Sequence, residues 1–244
     1  MKKIIIALLL GVTMVSVGQE KVLLRLNYEK GDTYEMNMKM SQNMGATMSM
    51  NTNMIMLQDV KSVSGDEYEI DSKITKIVMN MSQGGMQMSY DSSKKEEELD
   101  QTGKMMKAQM GPMLQAVITT KGNNLGKVLE TTVVPNVPGA SDLTQQSSSV
   151  IYPENEVSVG DTWTMNKDNK GMKFNFVYKV KEITLKNVLL DISGTVEGMA
   201  TGSITGSMNL DKKSGLPLTS IINMAMKVQG QDLKTNVDMT MVKK

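Results

Sequence analysis

The side chains in this sequence best equipped for chemistry are thioethers. Met36, Met38, Met40, Met44, Met48, Met50, Met54 and Met56 fall in one short stretch, mostly at every second position. In an extended chain, residues two apart share a face. An M-x-M pair therefore sets two sulfurs side by side, and soft sulfur ligands suit Cu(I). The same row of flexible, polarisable chains makes an apolar lining that repacks around different guests. A third reading gives these residues no chemistry, because Met also fills irregular gaps in a core. With 26 methionines against 2 phenylalanines and 1 tryptophan, the choice among these three readings decides what the protein is for.

Other chemistry is thin. The chain has no histidine and no cysteine. That removes Ser-His-Asp and Cys-His catalysis, His-ligated zinc and histidine pH switching. No phosphate-binding loop or dinucleotide fingerprint occurs. Ser92 to Lys95 spells a bare S-x-x-K without its companion motifs. Asn166 to Gly171, "NKDNKG", starts like a calcium loop, but Val177 stands where the bidentate glutamate belongs. Glu67, Glu69 and Asp71 share a strand face, the outward one. The expectation is a non-enzyme with no catalytic residue, metal ligand set or cofactor. A copper site would need several converging thioethers without help from His or Cys, and only the loop around Met44 offers them near the surface.

The elements that must position these residues are strands. Val22, Leu24, Leu26 and Tyr28 alternate with polar neighbours, as do Tyr34 to Met40, Met48 to Met56, Tyr68 and Ile70, and Met86 to Tyr90. Period two with one apolar side predicts half-buried antiparallel strands. Gly31-Asp32, Gly65-Asp66 and Gly84-Gly85 supply the turns. The middle departs from this pattern. Ser93 and Glu96 fit a capping box, and Leu99, Met106, Met110 and Met113 follow at helical spacing. A helix near 93–110 is predicted, ended or kinked at Gly111-Pro112. A hairpin about the turn "GNNLG" follows, then a Pro-, Gly-, Ser- and Gln-rich connector. Strands resume at Met172, Phe174, Phe176, Tyr178 and Val180, and continue to a last strand with Leu233, Thr235, Val237, Met239 and Met241 facing in.

The tetrads Gly31-Asp32-Thr33-Tyr34 and Gly160-Asp161-Thr162-Trp163 each open a strand. They predict equivalent turns in two related halves, with Tyr34 and Trp163 both buried. The resulting division is a leader at 1–18, a first half with the helix at 19–134, a connector at 135–152 and a second half at 153–244.

The leader has Lys2 and Lys3, then an apolar run from Ile4 to Val17, with Ser16 and Gly18 before the cut. That is the form of a secretory signal peptide, too short for a membrane span. A cysteine would be needed for lipid anchoring, so a periplasmic or secreted protein is expected. Net charge is +1, and the leader carries two of the lysines. A near-neutral chain has no basic field for nucleic acid or an anionic membrane.

"YPENEVSVGDTW" and "NLDKKSGLPLTSIINMAMKV", with the leader, resemble a family of uncharacterised exported proteins of Bacteroidota-type bacteria. "LDKKSGLPL" followed by a long amphipathic strand is similar, more distantly, to the periplasmic lipoprotein carriers. That resemblance implies a curved antiparallel half-barrel whose apolar face is plugged by helix.

These readings combine into a mainly β, half-barrel-like chain with one principal helix packed on the apolar face. Its expected role is binding a hydrophobic, lipid-like ligand. The expected lining is Met36, Met38, Met40, Met48, Met50, Met54, Met56, Phe174, Phe176 and Tyr178, with Met106 and Met110 on the covering helix. The alternatives are a structural or interaction protein whose methionines are only core, and Cu(I) binding through methionine.

Overall fold

The computed structural model of the protein describes residues 20–45, 47–137, 150–169 and 171–244. The leader at 1–18 and positions 138–149 of the connector lie outside the described residues. The alternating runs become twelve strands: β1 (Thr33–Met44), β2 (Met48–Ser64), β3 (Glu67–Gln83), β4 (Met86–Asp91), β5 (Val117–Asn123), β6 (Val128–Val134), β7 (Thr162–Asn169), β8 (Met172–Ile183), β9 (Asn187–Gly198), β10 (Ala200–Asp211), β11 (Pro217–Val228) and β12 (Gln231–Lys243). They form one antiparallel sheet in the order β6-β5-β3-β2-β1-β12-β11-β10-β9-β8-β7, with β4 beside β3. The sheet is curved and not closed, as a half-barrel: β6 and β7 end the path of strands, and β4 is a short further edge with β3 as its neighbour. The chain runs outward from β1 to β6, crosses to the far edge, and returns inward until β12 pairs with β1.

The helix is displaced from its predicted place. α1 spans Gln101–Gln115, and its N-cap is Asp100, whose carboxylate accepts from the Gly103 amide at 2.6 Å. Ser93 instead serves an earlier turn, giving its amide and hydroxyl to Asp91. Pro112 lies inside the helix but in its last turn, where few later residues depend on continued winding. Leu99 and Met106 join the core, and α1 packs on β3 and β4.

The two tetrads do occupy equivalent turns. Gly31 has φ 92° and Gly160 φ 94°. The Gly31 amide donates to Val60 and the Gly160 amide to Val180, at 2.9 and 2.8 Å. Val60 returns a bond to Asp32, and Val180 to Asp161, both at 2.9 Å. A bulge follows each valine, at Val60/Ser62 and Val180/Glu182. The likeness extends to two later hairpins. Gly126 donates to Asn123 and Gly215 to Asp211, both at 2.8 Å. So β1-β2-β3-β5-β6 corresponds to β7-β8-β9-β10-β11, with β4 and α1 inserted in the first series.

Burial separates the two aromatics of the tetrads. Tyr34 is buried at 5 % exposure, as expected. Trp163 is only half-buried, correcting the expectation. Its indole donates to the Ile151 carbonyl at 2.9 Å and stacks on Tyr178, ring centroids 5.4 Å apart. The cause is position in the sheet. β1 lies between β2 and β12, whereas β7 is an edge with a neighbour on one side only.

The run Val22–Tyr28 is extended but stands outside the sheet. It crosses the inner face as a strap, together with a second strap at Val150–Val157. The two exchange hydrogen bonds between Val22 and Val157, at 2.9 Å each way. Arg25 reaches the carbonyls of Pro153 and Glu154. Each strap docks on a glycine turn of the opposite half. Gly126 and Gly215 have positive φ, and a Cβ there would collide with the carbonyl oxygens of Val150 and Arg25 respectively. Leu24, Leu26, Val150, Tyr152 and Val157 are buried against the sheet.

Candidate functional site: a methionine-lined inner face

Cross-strand register assembles the methionines into rows. Met36 lies opposite Met56 on β2 and Met241 on β12. Met38 lies opposite Met54 and Met239, and Met40 opposite Thr52 and Val237. Further along, Met50 faces Gln42 and Met81, and Met81 faces Met88 on β4. The sequence thus puts all the inward chains of β1 and β2 on one face, because each run keeps period two. A bulge near Thr75 resets β3, so Ile74 and Ile77 both face inward.

What lies above the rows divides them. At the strap end, Met36, Met54 and Met56 are 2–5 % exposed and belong to the core with Leu24, Tyr152, Leu210 and Val188. Phe176 and Tyr178 are buried as well, and Met106 is buried separately, where α1 packs on β3 and β4. Beneath the straps remains a cleft of about 100 Å³ bounded by Leu26, Tyr28, Met36, Met56, Tyr152 and Met241. Sites for lipid-sized ligands take roughly 300 Å³ or more, so the straps leave this cleft too small for one. The larger opening at this end, about 330 Å³, lies at the rim and is bordered by Glu29, Asp32, Asp211, Lys213 and Lys243. Four tyrosines complete the plug, Tyr34, Tyr68 and Tyr152 buried and Tyr28 half-buried. Tyr28 packs edge-on against Tyr68 and Tyr34, at 4.8 and 5.8 Å. Burial pushes the Tyr68 hydroxyl up to about 12 and that of Tyr28 well above its ordinary value. Tyr152, raised by burial too, donates to the Gly215 carbonyl at 2.5 Å.

The other end carries the remaining predicted residues. Met38, Met40, Met48, Met50, Met110 and Phe174 are half-buried. Beside them stand half-buried Met113, on the helix expected to cover the site, and Met79, Met81, Met88, Met224, Leu233 and Val237, which are not in the expected lining. Their signal was present: each sits on the apolar side of an alternating run or helix. The hydroxyl oxygens of Thr52 and Thr235 also face this end and have no partner among the described residues. They are the kind of isolated polar group that orients a ligand in an apolar site.

Among the described residues, no cluster of three or more His, Cys, Asp or Glu could hold a metal. No described helix is long and apolar enough to cross a membrane.

A family of unknown function, DUF6263, matches residues 142–217, which include the second tetrad and the Asp211–Gly215 turn. No curated protein matches the chain. Among solved structures, the fold is similar to that of lipovitellin, in a structure concerned with lipid–protein interactions. The TM-score is 0.60 at 7 % identity, over 89 % of this chain. The match takes up 25 % of the lipovitellin chain, so this protein spans about a quarter of that length. A DUF1329 family protein from Desulfovibrio piger also aligns, at 8 % identity over 87 % of this chain and 85 % of that one, with a TM-score of 0.24.

Proposed function

We propose that this chain is an exported, non-enzymatic binder of a hydrophobic, lipid-like ligand, acting in the periplasm or outside the cell. The observation that carries the reading is the unequal cover of one inner face. Straps bury the rows at one end, and the methionine rows continue half-exposed at the other. Unbranched thioether chains held there can follow the shape of an acyl chain without a fixed rotamer. Burying apolar surface supplies the affinity, at about 25 cal/mol per Å² before the costs of association. The lipovitellin likeness establishes the fold alone; its lipid interactions are that protein's, and they make lipid the first ligand to try.

The test is extraction of protein purified from its own host, with mass spectrometry of the extract, beside a double variant Met40→Asp, Met50→Asp. A co-purifying lipid in the wild type that is lost from a folded double variant supports the proposal. A wild type that carries no lipid and binds no hydrophobic fluorophore rejects it, leaving the methionines as packing.

A further inference from the structure

Lys167 stands apart from every other charged group of the sheet. It lies on β7 opposite Phe174, two residues beyond Met165, which is opposite Phe176. Met165 is 7 % exposed and Phe176 6 %, so this side of β7 faces inward, and Lys167 with it. By register, the inward positions of β1–β4 and β7–β12 hold two ionisable groups besides tyrosine, Lys167 and Lys243. Lys243 is paired with Asp32 at 2.6 Å. Lys167 has no carboxylate of the described residues within ion-pair distance. Its neighbours in the row are Phe174 on β8 and Val196 on β9, then Gly202, Met226 and Leu233.

A half-buried cation on an apolar face without a counter-charge is costly, because hydration is lost and nothing replaces it. Burial alone already holds the Lys167 ammonium below its ordinary value. The row it begins ends at Leu233, on the strand next to β1 with its methionines. Five strand spacings separate β7 from β12, about 24 Å along the curved sheet.

We infer that Lys167 is the headgroup anchor of this site, and that the ligand is a long-chain carboxylate whose acyl tail leaves Lys167 over half-buried Phe174 and passes across the top of the row, above Val196 and Met226, which the fold already buries, toward half-buried Leu233 and the open methionine rows. The inference rests on the proposed hydrophobic site and adds the ligand's charge and direction. One compact cation matches one negative charge. A carboxylate there gains a charge-assisted hydrogen bond in a setting where solvent screens it little.

The experiment compares oleate with oleyl alcohol, which share a tail and differ in charge, by calorimetry on the wild type, Lys167→Met and Lys167→Arg. The wild type should prefer oleate by about tenfold or more, the worth of one hydrogen bond to a charged group. Lys167→Met should bind the alcohol as before and lose the preference, and Lys167→Arg should keep it. Since Lys167→Met removes a desolvated charge, its melting temperature should hold or rise, so lost preference cannot be ascribed to unfolding. Equal binding of both probes by the wild type, or an undiminished preference in Lys167→Met, overturns the anchor and leaves the apolar site standing. Binding of neither probe overturns both.

Discussion

The same residue on the same sheet meets two fates. Met56 and Met50 both face inward from β2, six residues apart, yet Met56 is 2 % exposed and Met50 is half-buried. Strand geometry does not distinguish them. The difference is the pair of straps, which lie over the rows of Met36 and Met56 and leave those of Met40 and Met50. Inward orientation is a local property of the strand. Burial is a property of what the rest of the chain brings to that place, and only the second separates core from binding surface.

The largest test of this contrast is a carboxylate at each position. Met56→Asp puts an unpaired charge among Met36, Ile74 and the straps and should cost about 4 kcal/mol, a large part of a typical domain's stability. Met50→Asp can reach water and should cost no more than about 1 kcal/mol. Urea unfolding of the two variants decides the matter. Equal losses would mean that the open end is as enclosed as the plugged one.

A second test acts on the straps themselves. Gly215→Val combines an unfavourable left-handed backbone with a collision against the Arg25 carbonyl. It should cost about 2–3 kcal/mol, and Gly126→Val should match it through the second strap. Loosened straps should also let the plugged end take up a hydrophobic fluorophore that the wild type excludes there. If stability falls without added dye uptake, the straps brace the sheet but do not set the limit of the site.

The two tetrad aromatics give a third contrast. Trp163→Ala should cost about 1–2 kcal/mol, less than a fully buried aromatic, since the indole is only half-buried on an edge strand. Tyr34→Ala should cost more, about 3 kcal/mol, because its ring is enclosed between β2 and β12. Thermal melts of the pair would expose an equal ranking, which would contradict the edge argument. Smaller again is Tyr152→Phe, which removes one hydrogen bond to Gly215 and should cost about 1 kcal/mol.

Most of the sheet was legible in the sequence because alternation is written residue by residue. The inward sets of β1, β2, β8 and β12 are those the pattern names. The repeat was legible from four residues because Gly-Asp-Thr-aromatic is itself the turn, with its bonds to Val60 and Val180. What was not legible depends on distant chain. Val22–Tyr28 alternates like a strand, and nothing local says that it will lie across the sheet instead of within it. Trp163 looks like Tyr34 until β7 is known to be an edge. Six of the twelve expected lining residues are core for the same reason. Lys167 read only as part of "NKDNKG", the stretch that starts like a calcium loop, because its isolation on the inner face appears only once the register of β7 and β8 is fixed.

The last contrast is between the equivalent turns. Asp161 caps its own turn by accepting from the Ser158 amide at 2.8 Å. Asp32 has been recruited by its surroundings: Lys243 bonds it from β12 at 2.6 Å, and the Tyr34 hydroxyl donates to it at 2.9 Å. Those two bonds, Lys243 first, hold the Asp32 carboxyl below its ordinary value against a smaller opposing effect of burial. Its folded value therefore lies below the unfolded one, near 3.9. The stability it contributes is whole above that pH and drains away as the pH falls through the folded value. Asp32→Asn should remove this contribution at neutral pH and flatten the fall of melting temperature below about pH 4. Lys243→Met should flatten it in the same window, since it removes the larger cause. The group lies near the surface, so the effect should be the smallest of the set and should shrink with added salt. Acid melts of the wild type and both variants at low and high salt make the measurement. An unchanged slope in both variants would mean that the clasp on Asp32 contributes geometry to the β1–β12 seam and nothing to its acid stability.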